Sequence, residues 1–216
     1  MIELMIVIVI LATLFALILP EARRVIQSAR KSTDLSQLRQ IAIALNLHAK
    51  DNNGFFPAAW DTTTYKTYAS QLEGYSRHEL SSRDSIFVSP LAEPLTATDN
   101  LPYNITYSMH PLLGLEHGDP LKKMASQVER PAEVILVANG FQVESNFNRA
   151  SSAIYEPQEI YWADNDYPLD RKFPTTSREG TIAYPDGKSV SAVFVDGHAE
   201  SIKKGNVVWR NFILNR

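Results

Sequence analysis

The chain has 216 residues, a formal net charge of −3 and no cysteine. That length suits one ordinary domain with an appendage, and the acidic balance argues against a nucleic-acid protein, which would show a basic stripe. Without cysteine there is no disulfide framework, thiolate zinc site or cysteine nucleophile.

The opening residues, Met1 to Leu19, read MIELMIVIVILATLFALIL, with Glu3 as the sole charged side chain. The apolar run Leu4 to Leu19 covers roughly 24 Å as a helix, slightly short of a ~30 Å hydrocarbon core, so with its flanks it just spans. A secretory signal would have a basic start and a small-residue cleavage site, and this segment has neither. A single-pass anchor fits the length but leaves Glu3 unexplained. An acid at membrane depth is costly and calls for a partner. Nothing nearby in the chain neutralises Glu3, so a group from another copy or a chain-terminal amine is the economical solution.

Beyond Pro20 the helical pattern continues. Leu35, Leu38, Ala42, Leu45 and Ala49 recur at helical spacing, and Ile41 broadens the stripe. Basic residues, interleaved with Glu21 and Asp34, populate the remaining surface. The spacing predicts one long helix over 1–53, hydrophobic in 1–22 and amphipathic in 23–53, kinked or loosened at Pro20. Asp51-Asn52-Asn53-Gly54 stops it, and Pro57 follows.

The run Ile2-Glu3-Leu4-Met5-Ile6-Val7-Ile8-Val9-Ile10 resembles the N-terminal signature of type IV pilins and type II secretion pseudopilins. Aligning Glu3 with the family glutamate places Pro20 on the family's helix-kinking proline and the mature N-terminus two residues upstream of Met1. The resemblance extends through Leu38-Arg39-Gln40-Ile41-Ala42 and through the helix ending Ala49 to Pro57. Near the other end, Asp186 to His198 resembles the H-X9-DG element of prepilin-like proteins, with Asp186 at the position of its histidine and Asp196-Gly197-His198 at its end.

The resemblance implies an α+β, pilin-like fold, with the long helix packed on a small antiparallel sheet in a head spanning 54–216. It implies a non-enzymatic subunit that polymerises with identical copies into a helical filament. Its partners would be a prepilin peptidase and a pilus or secretion assembly machinery, and it would pass from the bacterial inner membrane to a cell-surface filament or a periplasmic pseudopilus. Assembly would run through Glu3, Pro20, Leu4, Ile8, Leu11 and Phe15. Glu3 would pair with the terminal amine of a neighbour. A pseudopilin of a short envelope-spanning fibre and a single-pass tether for a binding domain are the alternatives.

In the head, a short helix is expected within 68–77 and strands at 105–109, 134–138 and 160–162. Pro185-Asp186-Gly187 and Asp196-Gly197 separate runs at 181–184, 189–195 and 198–202, which predicts a three-stranded antiparallel meander. Alternation along 190–195 gives one core face. A further strand is expected over 207–214.

Chemistry is sparse. The chain lacks the GxSxG, HExxH, Walker and GxGxxG patterns. His110 and His117 flank a Pro/Gly loop and read as packing or loop histidines rather than ligands. No cofactor is expected except calcium, for which Asp164, Asp166 and Asp170 form the best oxygen-rich cluster, though such residues also make turns. Asp186 and Asp196 are explained by their turns. Tyr155, Tyr161, Trp162 and Tyr167 read as anchors of a long loop, with sugar or subunit contact as the other reading.

Overall fold

The computed structural model describes residues 2–76, 85–92, 105–142, 150–156, 168–176, 178 and 180–214. Helix α1 runs Ile2–Asp51, about 75 Å at 1.5 Å per residue, and continues unbroken through Pro20. Its end follows from the residues expected to stop it. Asn53 and Gly54 both take positive φ, +55° and +85°, and the Gly54 amide donates to the Ala49 carbonyl at 2.7 Å. Glycine, and less readily asparagine, tolerates that left-handed conformation.

The two halves of α1 have different surroundings. Residues 2–30 are exposed throughout. From residue 34 onward one face is buried, with Leu38, Ile41, Ala42, Ala44, Leu45 and Ala49 in the head core. This is the expected stripe, so the second half of the helix belongs to the core rather than standing beside it.

The helix packs on a four-stranded antiparallel sheet of order β3-β4-β5-β6. Its strands are β3 (Tyr107–Met109), β4 (Ile135–Asn139), β5 (Ser189–Phe194) and β6 (Ala199–Lys203). A two-stranded ribbon, β1 (Trp60–Asp61) with β2 (Lys66–Thr67), precedes the short helix α2 (Tyr68–Gln71). The fold is α+β, as expected, with the helix on the sheet.

Both faces of β5 are buried. Val193 and Val195 join the helix-side core. Val190, Ala192 and Phe194 face a second cluster with Phe173, Ile182, Trp209, Phe212 and Ile213. The sheet is therefore a middle layer, where alternation suggested a single core face. Phe173 explains why the second layer is compact: its ring centroid lies 4.4 Å from Phe212 and 5.3 Å from Trp209.

Two expected strands are absent. Segment 181–184 does not join β5 in a meander. Instead Ile182 bridges Gly140, and the Ala183 amide donates to the Asn139 carbonyl at 2.8 Å. Both edges of β5 are already taken by β4 and β6, so the meander reduces to one hairpin. Over 207–214 the chain forms a 3-10 turn at Trp209–Asn211, with one bridge from Val208 to Lys172. Burying Trp209, Phe212 and Ile213 together suits a turn, because a strand would send neighbours to opposite faces. The short helix expected within 68–77 is the single turn α2, and segment 160–162 lies outside the described residues.

His110 carries a pH dependence into this core. It is fully buried, stacks on Phe212, and its Nε2 lies 3.0 Å from the Phe212 carbonyl. Burial lowers its pKa to about 4, against a smaller opposing effect of that carbonyl. The folded value is depressed, so protonation favours the unfolded chain. Stability is fully present above pH ~6.5 and falls as pH drops toward 4, by about 3 kcal/mol from this group. Urea melts of wild type and His110→Gln across that window check this. The variant should show a shallower acid loss, and identical slopes would refute the assignment.

Candidate functional site

The residues singled out for assembly lie on the free half of α1. Leu4 is 67% exposed, Ile8 57%, Leu11 49% and Phe15 63%, and Glu3 sits in the first turn. The helix is long and apolar enough to cross a membrane, and its most apolar stretch contributes nothing to the head core. An exposed apolar surface of this length is unstable in water and requires lipid or other protein around it.

Among the described residues, the first hydrogen bond from α1 to the head is made by Lys31. Its ammonium donates to Ser189 Oγ at 2.8 Å, and that hydroxyl donates to Asp186 Oδ2 at 2.7 Å. Asp186 Oδ1 also accepts the Lys188 and Ser189 amides, at 2.8 and 2.6 Å. Burial raises the Asp186 carboxyl, but bonds from Ser189 and Lys188, with the Lys31 ammonium, outweigh it and hold the pKa below the usual range. Asp186 thus shapes the turn into β5 and ties that turn electrostatically to α1.

One turn further along α1, Asp34 is completely buried. The sequence pattern placed it among the surface charges, and the structure overturns that. Tyr107 donates its hydroxyl to Asp34 Oδ1 at 2.6 Å, Ser89 donates to the same oxygen, and Asn139 Nδ2 approaches Oδ2 at 3.4 Å. Asn139 Oδ1 in turn accepts the Ser191 amide at 2.8 Å. One carboxylate therefore gathers α1, β3, β4, β5 and the segment around Ser89. Burial pushes the Tyr107 phenol well above its ordinary pKa, and the Asp34 charge and hydrogen bond reinforce this. The missed signal was spacing: Asp34 precedes Leu38 by four and Ile41 by seven, on the core face of the helix.

The other motif residues form a separate corner. Asp196 Oδ1 accepts the His198 amide at 3.1 Å and lies 2.6 Å from His198 Nδ1. Gly197 takes φ +91°, and the His198 ring stacks on Phe194 with centroids 4.2 Å apart. Asp196-Gly197-His198 closes the β5–β6 hairpin, and Asp186 opens β5 at its other end.

Comparison with protein-family models, with curated proteins and with solved structures gives no match. The functional reading therefore rests on the residues themselves.

Of the calcium candidates, Asp170 is exposed in a loop, while Asp164 and Asp166 lie outside the described residues. Among the described residues no three acidic or histidine side chains converge as a metal site. His110 is a packing residue, and His117 instead meets the Phe55 ring edge at 5.8 Å. Tyr155 packs its ring over Gly180, close enough to block a side chain there. Tyr161, Trp162 and Tyr167 lie outside the described residues.

Proposed function

We propose that this chain is a pilin-like structural subunit that polymerises through its N-terminal helix into an extracellular, type IV pilus-like filament. The observation that carries this reading is the division of α1. Residues 2–30 are exposed and mostly apolar, with an acid in the first turn, while residues 34–49 complete the head core. A head complete without the apolar half leaves that half available first to the inner membrane and then to neighbouring subunits. Moving between those two surroundings keeps it out of water.

Glu3 supplies registry. In an apolar bundle its carboxylate has to meet a positive group, and a neighbour's terminal amine fits that requirement. Losing one member of such a buried pair costs about 3–5 kcal/mol, so a misplaced subunit is rejected. The prepilin peptidase and the assembly machinery would act on this same segment.

Glu3→Ala should leave the melting behaviour of the head unchanged and abolish or strongly reduce filaments recovered by shearing. Normal filament yield would sink this role for Glu3. Short periplasmic fibres seen by immuno-electron microscopy would favour a pseudopilin. Monomers in detergent, with any binding activity surviving removal of residues 1–22, would favour a tethered domain.

A further inference from the structure

Two contacts between α1 and the sheet fix which edge of the head faces the apolar half of the helix. Lys31 donates to Ser189 Oγ at 2.8 Å, and Arg39 donates to the Ala199 carbonyl at 3.2 Å. Ala199 opens β6, and Lys203, paired with Ser189, closes it. β6 therefore runs antiparallel to α1, about 13 Å of strand against about 12 Å of helix. The start of β5 and the end of β6 are thus left at the edge of the head nearest residues 2–30. Lys188, Lys203 and Lys204 are exposed at this edge, and the Lys204 amide donates to the Lys188 carbonyl at 2.7 Å.

The helix adds Arg23, Arg24 and Arg30 to the same end, all exposed. Glu21 and Asp186, the acids that adjoin these groups, are already engaged. Glu21 pairs with Arg24 at 2.7 Å, and Asp186 accepts two amides of its own turn and the Ser189 hydroxyl. Asp34 is buried in its own hydrogen-bond network, and Glu200 lies further up β6, opposite Ala192. Lys204 rests over the Tyr184 ring at 5.4 Å. Among the described residues, Arg23, Arg30, Lys188, Lys203 and Lys204 form no ion pair. A chain of net charge −3 therefore gathers positive charge at the end from which its apolar helix leaves.

With residues up to Leu19 in hydrocarbon, Lys31 stands about 16 Å along the helix from Pro20. Headgroups fill about 5–7 Å of that distance, and the remainder is close to the ~8–10 Å Debye length at physiological salt. The surface potential of an anionic bilayer reaches this edge, and a tilt at Pro20 brings it closer. Each Lys or Arg near such a surface strengthens the attraction roughly fivefold. We propose, resting on the membrane-spanning reading of the apolar half of α1 but not on filament formation, that Lys188, Lys203 and Lys204 with the helix arginines dock this edge of the head on anionic phospholipid headgroups. Nucleic acid carries the same charge, but the span keeps a bilayer beside this edge.

The test places the full chain in nanodiscs of phosphatidylcholine alone or with about 30% phosphatidylglycerol. The chain has no cysteine, so Asn206→Cys gives a single site for a fluorescent donor, read by energy transfer to an acceptor-labelled lipid. The ratio of docked to undocked heads is expected to be about tenfold or more higher with phosphatidylglycerol at about 50 mM salt, and to fall toward the phosphatidylcholine value at about 500 mM. Lys188→Gln/Lys203→Gln/Lys204→Gln should remove most of that difference, while the same three positions as Arg retain it, with thermal melts confirming the fold. Equal transfer in the two kinds of disc would overturn the docking while leaving the span intact, and so would equal transfer together with binding of a short DNA duplex. A chain that stays outside the discs on size-exclusion chromatography would overturn the span and the docking together. The wild-type comparison decides the matter even if the triple variant fails to fold.

Discussion

Asp34→Ala is expected to destabilise the head by about 3–5 kcal/mol. The substitution deletes the acceptor shared by the Tyr107 and Ser89 hydroxyls and approached by the Asn139 amide, all of them buried. Each donor left without a partner costs on the order of 1–3 kcal/mol, and the small side chain adds a cavity in which water has to reorganise. Asp34→Asn retains one carbonyl oxygen of similar position and should lose less, about 1–2 kcal/mol, because the charge-assisted part of the bonds disappears. Urea unfolding of the full chain in detergent, followed by near-UV circular dichroism, distinguishes the three proteins. A loss below about 1 kcal/mol for Asp34→Ala would show that the carboxylate is not the organiser of this junction.

Gly140→Ala is expected to cost about 2–3 kcal/mol by overpacking. A Cβ there would stand 2.0 Å from Ser108 Oγ and 3.0 Å from Ala150 Cβ. The serine cannot swing aside freely, because its hydroxyl is bonded to the Ser151 carbonyl at 2.5 Å. Ser108→Ala removes the closest clashing atom while leaving its own Cβ 3.1 Å away. The double variant Ser108→Ala/Gly140→Ala should therefore be more stable than additive losses predict, by on the order of 1 kcal/mol. Strict additivity in a double-mutant cycle would show that the two side chains do not collide.

The long helix, its stop and its core stripe were legible because each rests on local chemistry. Apolar spacing over 35–49 and an Asn/Gly ending act within a few residues of one another. The β-branched and aromatic residues of Val207 to Leu214 fit a strand by pattern, and they equally satisfy the compact turn stacked under the sheet. The fate of segment 181–184 depended on which strand edges were already occupied, and that is a tertiary fact. Asp34 is half legible: its spacing puts it on the core face of α1, but the partners that make a buried carboxylate tolerable there, Tyr107, Ser89 and Asn139, come from distant segments. The turn-forming roles expected of Asp186 and Asp196 are observed, each carboxylate accepting amides of its own turn. The tie from Asp186 through Ser189 to Lys31 needed the fold to reveal it.

The position of Lys31 has a mechanical consequence. Among the described residues it is the first of α1 hydrogen-bonded to the head, through Ser189 and Asp186, and Pro20 lies before it in the exposed half. Proline lacks the amide that would bond back to Ala16, so resistance to bending is lowest there. Flexing at that point disturbs no packing within the head, whereas flexing beyond Lys31 would break the contacts around Asp34. Compliance and rigidity are thus assigned to successive stretches of one rod. In the proposed filament, such rods would bend while every head keeps its shape.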